Sequence, residues 1–559
     1  MLERNDLMNT KMNSMKKLAA LMAVVTSVST LTACGDAMDT SGSDYAMNNE
    51  KGAQHYTEAA IAEDYANDAA PADGEAMPPE MNSVDDSDIQ QNDEEYNYIK
   101  ENGYTAVSSA PLSTFSADVD TASYTNVRRM IDDGMDVPPD AVRIEEFINY
   151  FSYDYSDPAD GEPFAVHTEL SDCPWNDETE LLMVGINTKD FDAVLDERPA
   201  MNLVFLIDVS GSMYDDNKLP LVQKSFSMLT DNLTAADRVS IVTYAGSDEV
   251  VLEGADGNDR KKILRAINDL EAGGSTAGAA GINTAYDIAQ KYFIDGGNNR
   301  VILATDGDLN VGLSSESELT RLIEEKRESG VFLSVLGFGT GNYKDNRLEA
   351  LADYGNGNYS YIDSEREAKK VLVDEMSGTL FTVAKDVKFQ LEFNPANVKG
   401  YRLIGYENRV MAAEDFNDDT KDAGEIGAGH SVTVLYEIVP ADSKMELGES
   451  ELKYASDSEG VMGDELLTVN IRYKEPEGSE SKLLTYPVNK SLYSDKMSAD
   501  MNFASCVAEF GMLLRNSRYI GDVTYKDVSA QLSKYDYSDD DYKDEFIYLV
   551  NTMKRRAIN

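Results

Sequence analysis

Five short apolar runs, separated by helical patterns, occupy residues 199–381 and restrict what this chain can fold into. The runs lie at 202–207, 239–244, 301–305, 331–336 and 359–362. Helix-period segments follow them at 219–233, 260–270, 276–293, 316–329, 344–354 and 366–380. A strand that is apolar throughout must be covered on both faces, and the alternation supplies helices for both. The expectation is an α/β fold with a doubly wound, mostly parallel sheet. Residues 249–252 suit a short antiparallel edge strand.

The first run ends in Asp208-Val-Ser210-Gly-Ser212. This puts a carboxylate and two hydroxyls at the carboxyl end of a sheet strand, where α/β folds place ligand sites. Hard divalent cations such as Mg²⁺ take oxygen ligands of this kind and keep some waters. Two later segments offer more oxygen: Thr276, after Gly273-Gly274-Ser275, and Asp306, in Thr305-Asp306-Gly307. Gly211 is expected to let the first loop turn tightly, and Gly273-Gly274 to let the second approach closely. Asp308 is a further carboxylate nearby, and Gly337-Phe-Gly-Thr-Gly341 reads as a loop beside the same face.

Asp-x-Ser-x-Ser, then Thr, then Thr-Asp-Gly resembles the metal-ion-dependent adhesion site of von Willebrand factor type A domains. The resemblance implies that Asp208, Ser210, Ser212, Thr276 and Asp306 hold one divalent ion, and that an acidic group of a protein partner completes its octahedron. A hydroxyl-rich set with few charges suits Mg²⁺, with Mn²⁺ or Ca²⁺ as alternatives. Asp306 closes an apolar strand and should face the crevice. Its replacement by alanine is therefore expected to leave ion-free stability unchanged or slightly raised.

The chain carries 49 basic and 102 acidic residues, a formal charge of −53. That weighs against nucleic acid and against electrostatic docking on anionic membranes. Near the start, Lys11, Lys16 and Lys17 precede a short apolar stretch at 18–30, then Leu31-Thr-Ala-Cys34-Gly35. The stretch falls short of the roughly 20 residues a spanning helix needs. Leu-x-Ala-Cys resembles the lipobox of bacterial lipoproteins, which implies a lipid-anchored Cys34 and an extracytoplasmic protein. The other cysteines, Cys173 and Cys506, could pair or stay free; Cys506 lies on an apolar helix face and reads as a structural thiol.

Composition divides the chain into a signal peptide at 1–34 and a disordered acidic tether at 35–112. A helical and β segment at 113–198 and the A domain at 199–381 follow. A β-rich stretch at 382–490 and a helical end at 491–559 complete it. Glu94-Glu-Tyr-Asn-Tyr98 within the tether could mark a docking segment, but solvated linker is the plainer reading. Alternation at 164–170 and 182–186 matches that at 387–393, 432–438 and 467–473. The parallel-sheet module is thus expected to be inserted in, or flanked by, an antiparallel β-rich domain.

Longer stretches resemble the YfbK-like bacterial von Willebrand factor type A lipoproteins. They are Ser116-Ala-Asp-Val-Asp-Thr-Ala-Ser-Tyr124, Arg143-Ile-Glu-Glu-Phe-Ile-Asn-Tyr-Phe151, Lys421-Asp-Ala-Gly-Glu-Ile-Gly-Ala-Gly-His430 and Phe503-Ala-Ser-Cys-Val-Ala-Glu-Phe-Gly-Met-Leu-Leu-Arg515. This implies architecture and a metal-dependent binding surface more than an activity. His55, His167 and His430 are far apart, and neither a Gly-x-Ser-x-Gly elbow nor a Cys/His zinc spacing occurs. Asp118-Val-Asp120-Thr121 reads as acids around a helix N-cap. Asp415-Phe-Asn417-Asp-Asp419 lacks the glycine and glutamate of a Ca²⁺ loop. The expected function is a non-enzymatic, surface-anchored lipoprotein gripping a protein partner through its metal. The alternatives are an envelope scaffold with a purely structural metal and, behind it, a cell-wall hydrolase.

Overall fold

Apolar side chains on both faces put Met201–Asp208, buried at every residue, inside a six-stranded sheet. A computed structural model describes residues 94–558, apart from 118, 160, 190–197, 275–277, 308–315, 342, 422, 448–462 and 477. The strand order is Tyr359–Ile362, Phe332–Phe338, Asn298–Thr305, Met201–Asp208, Arg238–Tyr244, Asp248–Asp256. The first five are parallel, and the last pairs antiparallel at the edge. Phe205 and Ile207 pack into one core with Phe226 and Ile263; Val204 and Leu206 pack into another with Tyr286 and Leu303. This is the doubly wound arrangement that the alternation predicts.

Two differences from the expected boundaries stand out. The strand predicted from 301 begins at Asn298 because Asn299 is held by Ile294 and Arg300 donates to Ser334 Oγ at 2.6 Å. The helix predicted over 366–380 is Glu365–Lys369, a π turn at Lys370–Asp374, and Met376–Leu380. Hydropathy does not distinguish a π turn from α-helix.

The antiparallel part is built from chain on both sides of the parallel-sheet module. The hairpin Phe164–Asp172 and Glu180–Thr188 pairs with Ser431–Pro440, placing Val184 opposite Val434. Val398–Ile404 and Thr105–Ala106 complete that sheet. In the second sheet, Leu112–Ser116 lies on Thr382–Phe393, with Phe115 opposite Phe389. Glu465–Lys474 and Lys482–Asn489 extend it. Phe115, Phe389, Leu391, Val434, Tyr436 and Ile438 share one core.

Residues 94–112, expected in the tether, are part of the folded body. Glu94 pairs with Arg129 at 3.0 Å, Glu95 with Lys344 at 2.7 Å, and Asn126 donates to Tyr96 Oη at 2.7 Å. Local composition cannot register such long-range partners. The stretch expected as a signal peptide, Cys34 and the rest of the expected tether lie outside the described residues. So does Asp118, whereas Asp120, expected as an acid beside a helix N-cap, bonds across to the sheet. Asp120 accepts from the Tyr359 amide at 2.8 Å and from Arg409 at 3.2 Å, fastening the sheet's edge strand. The helix Ala122–Asp132 starts at Thr121 with no side-chain cap, and Gly134, at φ +77°, closes it.

Ala122–Asp132, Ile144–Asn149, Ala499–Leu514, Tyr525–Leu532 and Asp541–Ile558 pack around Phe147, Phe151, Phe503, Phe510 and Phe546. Cys506 lies in this core; it and Cys173 are both free and buried. No helix among the described residues is long and apolar enough to cross a membrane.

Glu509 is 2 % exposed on the same helix, and burial pushes its carboxyl up to about 8. The folded chain therefore binds this proton more tightly than the unfolded chain, and stability falls as pH rises from about 4.5 to about 8. Glu509→Gln is expected to flatten that slope and to raise stability at pH 8 by a few kcal/mol, to order of magnitude. Urea melts of both proteins at pH 5 and pH 8 check it; an unchanged slope would contradict it.

Candidate metal centre

Asp208 sits fully buried at the carboxyl end of its strand, and the chain then turns sharply into a 3₁₀ turn, Gly211–Tyr214. The turn returns Ser210 toward Asp208, so the Ser210 amide donates to Asp208 Oδ1 at 2.9 Å. Ser210 and Ser212 hydroxyls lie 2.9 Å apart, the first buried and the second exposed. The three oxygen donors thus run from the sheet's edge out to solvent.

The second loop is anchored against the first. The Gly273 amide donates to Val209 O at 2.8 Å, and the Gly211 amide to Gly274 O at 3.1 Å. Gly274 adopts φ +86°, a conformation that favours glycine. Gly211 does not need its glycine for that reason. Its φ is not positive, and a Cβ there would reach Gly274 O only at ordinary contact distance, 3.4 Å. Thr276 lies outside the described residues, as does Asp308.

The third strand brings Asp306, 3 % exposed, to the same edge. Thr305, whose neighbour alone was singled out in the sequence, donates from Oγ1 to Asp208 Oδ2 at 3.3 Å and accepts from the Gly307 amide at 3.2 Å. Burial pushes the Asp208 carboxyl up to about 6, and the Asp306 charge adds to the rise; the hydrogen bond from Ser210 opposes it. A carboxylate raised by burial is one that a cation would relieve.

Lys218 is the residue the sequence did not reveal. It stands just before the helix Leu219–Leu229 and is 7 % exposed. Its Nζ donates to Asp306 Oδ2 at 2.9 Å. The signal that could have found it is slight: a lone lysine ahead of Leu219-Pro220, six residues after Ser212. With Lys218 in place, Asp306 is not a bare carboxylate facing Asp208.

The donor set suits a hard cation: two carboxylates and two hydroxyls, with one exposed donor leaving room for water or a further ligand. Among the described residues no group of three His, Cys, Asp or Glu side chains could hold a metal. A site here therefore depends on serine hydroxyls, as the motif implies.

Three family models match the chain. One is the C-terminal region of the uncharacterised protein YfbK, over residues 378–555. Another is the von Willebrand factor type A domain, over 202–374, and a third is a von Willebrand factor model over 90–183. The chain is 45 % identical to the uncharacterised protein YfbK of Escherichia coli K12, covering 81 % of this chain and 80 % of that protein. It is 27 % identical to the uncharacterised protein sll0103 of Synechocystis, over 52 % of this chain and 66 % of that one. Among solved structures, a von Willebrand factor type A protein from Catenulispora acidiphila aligns with TM-score 0.36 at 17 % identity, covering 64 % of this chain and 82 % of its own.

Proposed function

The chain belongs to the YfbK family of von Willebrand factor type A proteins, and from that premise we propose that it is a surface-anchored bacterial lipoprotein whose A domain grips a protein partner through a divalent ion. The observation that carries the reading is the convergence of Asp208, Ser210, Ser212 and Asp306 at one sheet edge, buried at Asp208 and open at Ser212. Thr276 joins the set through the motif. An ion held this way, Mg²⁺ ahead of Mn²⁺ or Ca²⁺, supplies a positive centre to which an acidic group of the partner can bind.

The rim supports recognition of a protein. Tyr214, two residues beyond Ser212, is 79 % exposed. Exposed aromatic rings of this kind are enriched at protein interfaces. Asp215 and Asp216 beside it are exposed too. Without an ion such a rim would repel an acidic partner, so cation dependence is expected of the interaction itself.

Cross-linking pull-downs from native membranes, in Mg²⁺ and in EDTA, test the reading. Partners that are lost in EDTA support adhesion through the ion. Partners retained in EDTA, with only the melting temperature lowered, would favour the scaffold reading. That second reading has its own observation: one buried ion pair and one partly exposed pair fasten the A domain to the rest of the chain. Arg143 reaches Asp345 at 2.5 Å, and Arg409 reaches Asp353 at 2.9 Å.

Anchoring is a separate part of the proposal and rests on the lipobox at Cys34. Cys34→Ser is expected to shift the protein from the membrane fraction to the soluble one. Unchanged partitioning on fractionation would contradict it.

A further inference from the structure

We infer that Lys218 is an internal counter-ion of the metal centre, which holds Asp306 in the ion-free chain and keeps ion affinity low until an acidic ligand shares the ion. The inference rests on the proposed reading of that centre as an ion site. It deepens that reading by assigning a residue outside the motif that couples the ion's affinity to the acidic ligand already proposed.

Three observations place Lys218 there by construction. Its ammonium bonds Asp306 at 2.9 Å, with both side chains almost fully buried. Its stem lies across Gly339, at φ +77°, where a Cβ would stand 2.4 to 2.9 Å from Lys218 Cε, Cγ and Cδ. The Gly339 carbonyl is itself held, accepting from Tyr361 Oη at 2.6 Å. The glycine-rich loop after the strand Phe332–Phe338 is thus the channel through which the lysine reaches the carboxylate. That gives Gly339, in the loop expected beside this face, a role in opening the lysine's path.

Charge counting then ties the lysine to the acidic ligand. Asp208, Asp306 and Lys218 together carry −1 when ionised: two carboxylates and one ammonium. A divalent ion brings the sum to +1, and a carboxylate from a partner brings it to zero. Unbalanced charge is costly where side chains are this buried. The neutral combination of ion plus acidic ligand is favoured over the ion alone, and the lysine makes it so. Without Lys218 the ion alone would already balance the two carboxylates.

The test is calorimetric titration of the ion-free full chain with Mg²⁺, comparing wild type with Lys218→Gln and Lys218→Met. Gln keeps a donor for Asp306 if the Met variant folds poorly. Removing a positive charge next to the ion is expected to tighten Mg²⁺ binding roughly tenfold or more. Sodium acetate in place of sodium chloride at equal ionic strength is expected to tighten binding in wild type, and to do so less in Lys218→Gln. Binding that is detectable only in the Lys218 variants would support the inference as well. Equal or weaker Mg²⁺ binding in the variants, with wild type binding normally, overturns it and leaves the metal centre standing. Absence of binding in every chain overturns both.

Discussion

Replacing Arg128 by methionine is expected to cost the folded chain about 3–5 kcal/mol, as when one partner of a buried ion pair is removed. Arg128 is 3 % exposed and sits where four segments meet. Its guanidinium grips Asp363 through two bonds, Nη2 to Oδ1 at 2.6 Å and Nε to Oδ2 at 2.9 Å. It also reaches Glu367 at 2.9 Å, Glu545 at 2.9 Å and the Tyr150 hydroxyl at 2.9 Å. The helix Ala122–Asp132 is thereby tied to the A domain's last strand and helix and to the terminal helix Asp541–Ile558. Methionine fills much of the volume but leaves three carboxylates crowded together. The deficit should shrink as pH falls, because the abandoned carboxylates can then take up protons. Denaturant melts at neutral and acidic pH check this. A loss below about 1 kcal/mol, as for an exposed pair, would show that the cluster does not fasten the domain.

Asp306→Ala is expected to be nearly as damaging, and to be so without any metal. The sequence pointed the other way, to a carboxylate in a crevice whose loss would relieve repulsion from Asp208. The structure sets Lys218 on that carboxylate, so alanine abandons a buried ammonium. About 3–5 kcal/mol is the expected loss. Adding Lys218→Met should restore much of it, since the stranded charge goes as well. Thermal melts of the single and double variants in EDTA decide between the two views. A single variant as stable as wild type in EDTA would dissolve the Lys218–Asp306 pair.

The parallel sheet and the motif strand were legible because an apolar run bounded by polar loops has few other fates. Asp208, Ser210, Ser212 and Asp306 were legible for a related reason: each stands at or just beyond a strand's carboxyl end. The sharing of sheets across the A domain was legible as matching alternation at 182–186 and 432–438, which pair in register. Contacts between residues remote in sequence were not legible. Glu94 reads as one more acid in a solvated stretch until Arg129 is beside it. Asp120 reads as an acid beside a helix N-cap until the Tyr359 amide meets it. Lys218 reads as surface charge until a glycine more than a hundred positions away opens its path. Each of these is an electrostatic partnership, and local hydropathy holds no record of partners.

Under the proposed function, the sheet's carboxyl edge holds a hard divalent ion. Calorimetric titration of the ion-free full chain with Mn²⁺ and with Mg²⁺, beside Asp208→Ala, tests it most directly. Asp208→Ala suits the purpose because it deletes a carboxylate that burial already disfavours in its charged form. It should therefore remove the ion without removing the fold. The account predicts saturable binding of a single ion in wild type and none in the variant. No saturable binding in wild type, or equal binding in the variant, would contradict it.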